Sequence, residues 1–232
     1  QSGMGKTGAF VIGTLGRLDE NINATQAIII AHTRELALQI DMVFRQIAKF
    51  TGFRFGSCVK GVAISENIEK LLGKRGNGKP HVIIGTPGRI LDMISRKDRD
   101  TGFDIINKSA LRILVIDEAD ELLSASTEAG TVQHDEDEKV GFVEQLQTIF
   151  KYLPMDIQVC LFSATMSPQF FETTKKFMRD PMEVLVKTEE LTLDGIKQYQ
   201  VDVDRQEYKF DTLCELYGLL TINQSIIYCN NQ

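Results

Sequence analysis

The sequence predicts an α/β protein built on a doubly wound parallel sheet. Short β-branched apolar segments recur at 27–31, 82–85, 113–116, 159–162 and 184–186. They lack the polar alternation of a half-exposed strand, so they suit a parallel sheet covered on both faces. Between them lie segments with helical periodicity at roughly 6–18, 33–50, 66–72, 87–95, 142–152 and 168–178. Regular alternation of the two kinds gives strand–helix–strand units, and repeated units give an open sheet flanked by helices.

Local chemistry supports the boundaries. Thr33, Ser65 and Ser167 stand where helices want an N-cap, and Pro87 and Pro168 suit a first helical turn. Periodicity lapses over 188–194, then 196–203 alternates, 207–220 turns helical and 226–229 reads as a strand. These features predict one domain over 1–187, a linker at 188–194, and the start of a second domain over 195–232. Two polar stretches interrupt the first domain: the basic, glycine-rich GKRGNGK at 73–79 and an acidic stretch at 126–140. Each reads as a solvated, mobile loop.

Composition is ordinary for a globular chain: 232 residues, 43% hydrophobic and 25% charged. No apolar run approaches the roughly 18 residues of a membrane span. The net charge of −6 is unevenly placed. The acidic stretch carries −4 and residues 188–232 carry −5, which leaves the rest of the first domain at +3. Such a small excess fits brief contact with a nucleic-acid backbone rather than coating of it. Cys58, Cys160, Cys214 and Cys229 are widely spaced and read as buried thiols in a reducing compartment. His32, His81 and His134 do not join them at zinc-site spacing.

Four strings carry chemistry: SGMGKT at 2–7, TPGR at 86–89, DEAD at 117–120 and SAT at 163–165. In the first, Ser2, Gly3, Met4 and Gly5 form a turn whose backbone N–H groups cradle phosphates. Lys6 reaches the outer phosphates and the Thr7 hydroxyl sits on Mg²⁺. The helix that follows points its N-terminus at the same anion. Asp117 and Glu118 emerge from the apolar run 113–116, at the strand end where open sheets bind ligands. One carboxylate to hold Mg²⁺ through water and one to orient or deprotonate the attacking water is what triphosphate hydrolysis requires. Thr33-Arg34 and Thr86-Pro87-Gly88-Arg89 open helices after strands, so their N–H groups can hold backbone phosphates without reading bases. Arg34 and Arg89 are the candidate side chains there, with an intramolecular ion pair as the alternative for each.

This combination resembles the DEAD-box RNA helicases, and within them the translation initiation factor 4A type. The resemblance runs through QSGMGKT, TRELA at 33–37, TPGR, DEADELL, LFSAT, KKFMRDP at 175–181, EELTLDGIKQ at 189–198 and KFDTLCELYGLLT at 209–221. It implies a RecA-like fold with the beginning of a second RecA-like domain. It also implies ATP and Mg²⁺ as cofactors, sequence-independent binding of RNA, and local unwinding of short duplexes in translation initiation. Asp120, Ser163 and Thr165 would couple the nucleotide state to RNA separation. Against the family the chain is expected to be an internal fragment, lacking the adenine-reading glutamine motif and the later arginine motifs, and therefore inactive alone. The loops at 73–79 and 126–140 look like insertions.

Two departures mark the RNA surface. His32 stands where the family has Pro before TRELA, and Lys60-Gly61 stands for its glycine pair. Lys60 could add a phosphate contact, while loss of a glycine restricts approach. A helical-repeat scaffold protein of the initiation-factor type is the expected partner, with a monomeric, membrane-free, cytoplasmic protein as the setting and the nucleus as the alternative. An ATP-gated RNA clamp that rarely unwinds is the competing reading.

Overall fold

The computed structural model describes residues 5–74, 76, 78–124, 141–164, 174, 177–185, 197 and 199–229, with side chains of 122–124 excepted. They divide into two compact units, Gln1–Leu185 and Val186–Gln232.

The first unit is a five-stranded parallel sheet in the order β2-β3-β1-β4-β5. Its strands are β1 (Ala27–Ile30), β2 (Phe55–Cys58), β3 (Val82–Gly85), β4 (Ile113–Ile116) and β5 (Gln158–Leu161). The three central strands are buried at every position, as the absence of polar alternation requires. Register is uniform: Ile29 lies beside Ile84 on one side and Val115 on the other. Successive residues of β1 therefore feed opposite cores. Ala27 and Ile29 join Phe10, Val11, Ile40 and Phe44 on one face. Ile28 and Ile30 join Ile90, Met93, Ile94, Leu146 and Ile149 on the other. The first face is covered by α1 (Lys6–Leu15) and α2 (Arg34–Ile47). The second is covered by α3 (Ile64–Leu71), α4 (Pro87–Ser95) and α6 (Phe142–Phe150). A short α5 (Ala119–Ser124) follows β4. Helices on both faces of a parallel sheet are the doubly wound fold that the alternating pattern predicts.

Several local expectations need correction. The strand β2 escaped the sequence pattern because Phe-Gly-Ser-Cys contains no β-branched residue. Gly56 is there because a Cβ would come within 3.1 Å of Pro80 Cγ. Helix α3 is capped by Ala63 and begins at Ile64, ahead of the predicted Ser65 cap. Of the strand expected at 184–186, Val184 and Leu185 are exposed and form no strand among the described residues, and residue 186 lies outside them. The expected helix at 168–178 lies almost wholly outside the described residues, as does the acidic stretch at 126–140.

Loop 73–79 is also not simply solvated. Lys74 Nζ lies 2.8 Å from Asp100 and 3.6 Å from Asp98. Arg54 Nε donates to the Lys79 carbonyl, and Lys79 N donates to Asn23 Oδ1. Both ends of the loop are thus anchored to the domain. Of the cysteines, Cys58 is buried and its thiol is pushed up to about 12 by desolvation. Cys160 is half-buried, whereas Cys214 and Cys229 are exposed, so the buried-thiol reading fits only part of the set.

In the second unit a 3-10 turn, Gln206–Tyr208, leads into a helix, Lys209–Leu219. Residues 226–229 form no strand, and Ile226, Ile227 and Tyr228 are exposed. Among the described residues no strand pairs with this segment, and an extended segment alone gains no ladder. No helix among the described residues is long and apolar enough to cross a membrane.

Candidate nucleotide and nucleic-acid site

Because all five strands run parallel, every strand's C-terminal end opens on one edge of the sheet. From β1 the chain crosses to the β2 side, while from β4 it proceeds to β5 on the other side. Connections therefore diverge between β1 and β4, which makes that gap the crevice where such sheets bind ligands. His32 and Thr33 follow β1 into it, and Asp117 and Glu118 follow β4.

The phosphate turn enters beside them. Gly5 has φ +79°, a left-handed conformation that a side chain would strain, and an added Cβ would meet nothing within 4 Å. It is the N-cap of α1 without any side chain to cap the helix, and the first turn contains no acidic residue. The first intrahelical bond is Ala9 N to the Gly5 carbonyl, at 3.0 Å. The preceding N–H groups and the positive end of the helix dipole are therefore arranged for an anion. Lys6 and Thr7 are half-buried at this end. Ser2, Gly3 and Met4 lie outside the described residues.

Asp117 is 3% exposed. Its N–H donates to the Ile30 carbonyl at 3.0 Å, which locks it to the end of β1. Its Oδ1 accepts the Glu118 N–H at 3.0 Å. Burial pushes its carboxyl pKa up, and the neighbouring Glu118 charge adds to that rise. The Glu118 N–H bond opposes it, as do the charges of Lys6 and His32. Lys6, some 110 positions away in sequence, thus lies close enough to Asp117 to be felt electrostatically. A buried carboxylate held above its ordinary pKa is the group that a divalent cation would relieve, so this donor set fits Mg²⁺.

Glu118 carries φ +48°, in the left-handed region that costs a non-glycine residue about 1–2 kcal/mol. Its Oε2 lies 3.1 Å from His32 Nδ1. Beyond it, Ala119 N donates to the Phe162 carbonyl at 3.0 Å, so the DEAD turn is bonded to the end of β5. Ser163 follows immediately and is half-buried, as is Asp120. Thr165 lies outside the described residues.

The remaining candidates line the β1, β3 and β2 ends of the same edge. Thr33 caps α2, its hydroxyl accepting from Leu36 N at 3.2 Å. Thr86 is the N-cap of α4, but its hydroxyl makes no cap bond. Gly88 is exposed in the first turn of α4. Lys60 is exposed, and Gly61 has φ +91°. A Cβ on Gly61 would collide with Arg34 Nη1 and approach Arg34 Cζ to 3.2 Å. The guanidinium of Arg34 is therefore laid across the glycine. Arg89 Nη1 donates to the Val62 carbonyl and to Asn67 Oδ1, each at 3.0 Å. Among the described residues Arg89 has neutral partners and Arg34 packs on backbone, and neither forms an ion pair there. Sequence reasoning missed Asn67 and Val62 as supports of Arg89, because both belong to the unremarkable β2–α3 region. It also missed the His32–Glu118 pairing, whose one visible sign was the unusual histidine.

A model of the DEAD/DEAH box helicase family matches residues 1–174. The chain is 45% identical over all 232 residues to the ATP-dependent RNA helicase FAL1 of Eremothecium gossypii. It is 42% identical to the ATP-dependent RNA helicase eIF4A of Emericella nidulans. It covers 52% of each, so the chain spans about half the length of these curated relatives. Among solved structures, S. cerevisiae Dbp5 bound to RNA and ADP BeF3 superposes with a TM-score of 0.73 at 32% identity, covering 94% of this chain and 48% of that one. A DEAD box protein from the hyperthermophile Methanococcus jannaschii gives 0.65 at 28% identity, covering 93% and 50%.

Proposed function

Because this chain belongs to the DEAD/DEAH box helicase family, we propose that the protein it represents is an ATP-dependent RNA helicase of the initiation factor 4A type. The observation that carries this reading is the buried Asp117 at the end of β4, beside the crevice between β1 and β4, with the left-handed Gly5 turn opening α1 and the Lys6 charge lowering the Asp117 pKa. The backbone N–H groups after Gly5 and the Lys6 ammonium hold the β- and γ-phosphates. Thr7 and Asp117 would hold Mg²⁺, which would supply charge neutralisation for the phosphates. Glu118 orients the attacking water and accepts its proton.

RNA binds along the neighbouring strand ends. The N–H groups opening α2 and α4, with Arg34, Lys60, Gly61, Thr86, Gly88 and Arg89, grip the sugar-phosphate backbone without reading bases. Asp120, Ser163 and Thr165 relay nucleotide state through the bonded DEAD and β5 ends. Residues 195–232 begin a second RecA-like domain, after a linker at 188–194. Binding of ATP and RNA favours the same closed state, so each tightens the other. The likeness to factor 4A supports a role in translation initiation, and to this reading belong cytoplasmic work and a helical-repeat scaffold as partner.

The test is RNA-stimulated ATP hydrolysis and short-duplex unwinding by the full-length protein. Glu118→Gln should bind ATP normally and lose both activities. Full turnover by that variant would refute the assignment.

A further inference from the structure

The end of β1 places a histidine against the carboxylate that the reading above makes the general base. Ile30 is in register with Ile116, so His32 and Glu118 come two residues later on adjacent parallel strands. The Asp117 N–H bond to the Ile30 carbonyl keeps the two strand ends from sliding. His32 Nδ1 lies 3.1 Å from Glu118 Oε2. That nitrogen is itself buried, and its alignment falls short of a hydrogen bond. A small rotation of ring or carboxylate completes the bond.

Glu118 needs such a partner. Its backbone is held in the left-handed region at φ +48°, and its side chain is 41% exposed. Without a second fixed point a half-exposed glutamate samples several rotamers, and a general base must be held within hydrogen-bond reach of its water. We propose that His32 is a positioning residue for ATP hydrolysis: its Nδ1–H holds Oε2 of Glu118, leaving Oε1 to face the attacking water. The bond needs the proton on Nδ1, which the charged imidazolium and the Nδ1–H tautomer both carry and the Nε2–H tautomer does not. It touches neither nucleotide nor RNA in this role and acts only through Glu118. The inference rests on Glu118 being the base.

Three substitutions at His32 in the full-length protein decide it, assayed by RNA-stimulated ATP hydrolysis at saturating RNA. His32→Ala should lower kcat about tenfold, with KM for ATP changed by less than about twofold. His32→Asn places an amide where Nδ1 stands and should recover most of kcat. His32→Gln places its amide where Nε2 stands and should not. If His32→Ala fails to fold, the Asn and Gln pair still discriminates. Wild-type kcat in His32→Ala, or equal kcat in the Asn and Gln variants, overturns the proposal. If Glu118→Gln alone retains full turnover, the base assignment itself is wrong. If Glu118→Gln abolishes turnover while His32→Ala does not reduce it, only the positioning role is lost.

Discussion

Replacing Gly61 by alanine separates backbone geometry from charge at the nucleic-acid edge. Gly61 has φ +91°, and its missing side chain is the space occupied by the Arg34 guanidinium. Holding alanine in a left-handed conformation costs about 1–2 kcal/mol. Reduced freedom of the unfolded chain returns roughly 0.4–1 kcal/mol of that. A net loss near 1 kcal/mol corresponds to a fall in Tm of about 2–4 °C for a domain of this size. The new Cβ cannot share space with Arg34 Nη1, and Arg34 is the flexible member, so the guanidinium moves. A charge-assisted phosphate contact is worth about 1.5–3 kcal/mol, and exposure of Arg34 puts the expected loss at the lower end. Affinity for single-stranded RNA, measured by fluorescence anisotropy with a non-hydrolysable ATP analogue, should weaken about tenfold. Arg34→Ala should weaken it similarly, and the double variant should lose little more than either alone. An alanine variant with wild-type RNA affinity and an unchanged Tm would refute the packing argument. Additive losses in the double variant would show that Gly61 and Arg34 act separately.

Other perturbations test neighbouring parts. Lys60→Ala should leave Tm unchanged and reduce the slope of log affinity against log salt by about one ion, measured across a salt titration. Asp117→Asn should abolish magnesium-dependent nucleotide binding while raising the Tm of the nucleotide-free protein. Burial raises the Asp117 pKa in the fold, so the native state binds its proton more tightly than the unfolded chain does. Stability from this group is therefore lost as pH climbs through the folded pKa, and the Tm advantage of Asn should shrink in acid. His81 behaves oppositely. Burial, helped by the Arg54 charge, lowers its pKa, and Nδ1 accepts the Arg54 N–H at 3.0 Å. The unfolded chain then takes the proton first, so stability should fall as pH drops below about 6.5, and His81→Asn should flatten that fall. Arg89→Lys should lower Tm, because a lysine cannot reproduce the paired bonds to Val62 and Asn67 from one planar fork.

The centre of the fold was legible because physics leaves few choices there. Runs such as Ile113–Ile116 must be covered on both faces, and Pro87 after Thr86 fixes where α4 starts. Legibility ends where tertiary context decides. The strand β2 is held by β3 and by Pro80 rather than by β-propensity, so the sequence pattern showed no strand there. At 184–186 and 226–229 the apolar pattern was present, but no partner strand pairs with the described parts. In the site, the residue types and their order were readable. The left-handed backbone of Glu118, the packing of Arg34 on Gly61 and the histidine facing the base were not. Each depends on which strand ends become neighbours, information that no local window contains.

The decisive measurement is paramagnetic relaxation of backbone amides by a manganese–ATP analogue complex. If one nucleotide-metal site joins the two motifs, amides of Gly5–Thr7 and of Asp117 and Glu118 broaden together at the same low occupancy. Amides of Gly102 and Phe103, beyond the isolated bridge that Lys97 makes with Asp104 and away from these strand ends, stay sharp. Broadening at Gly5–Thr7 with unaffected Asp117 and Glu118 would contradict the shared site.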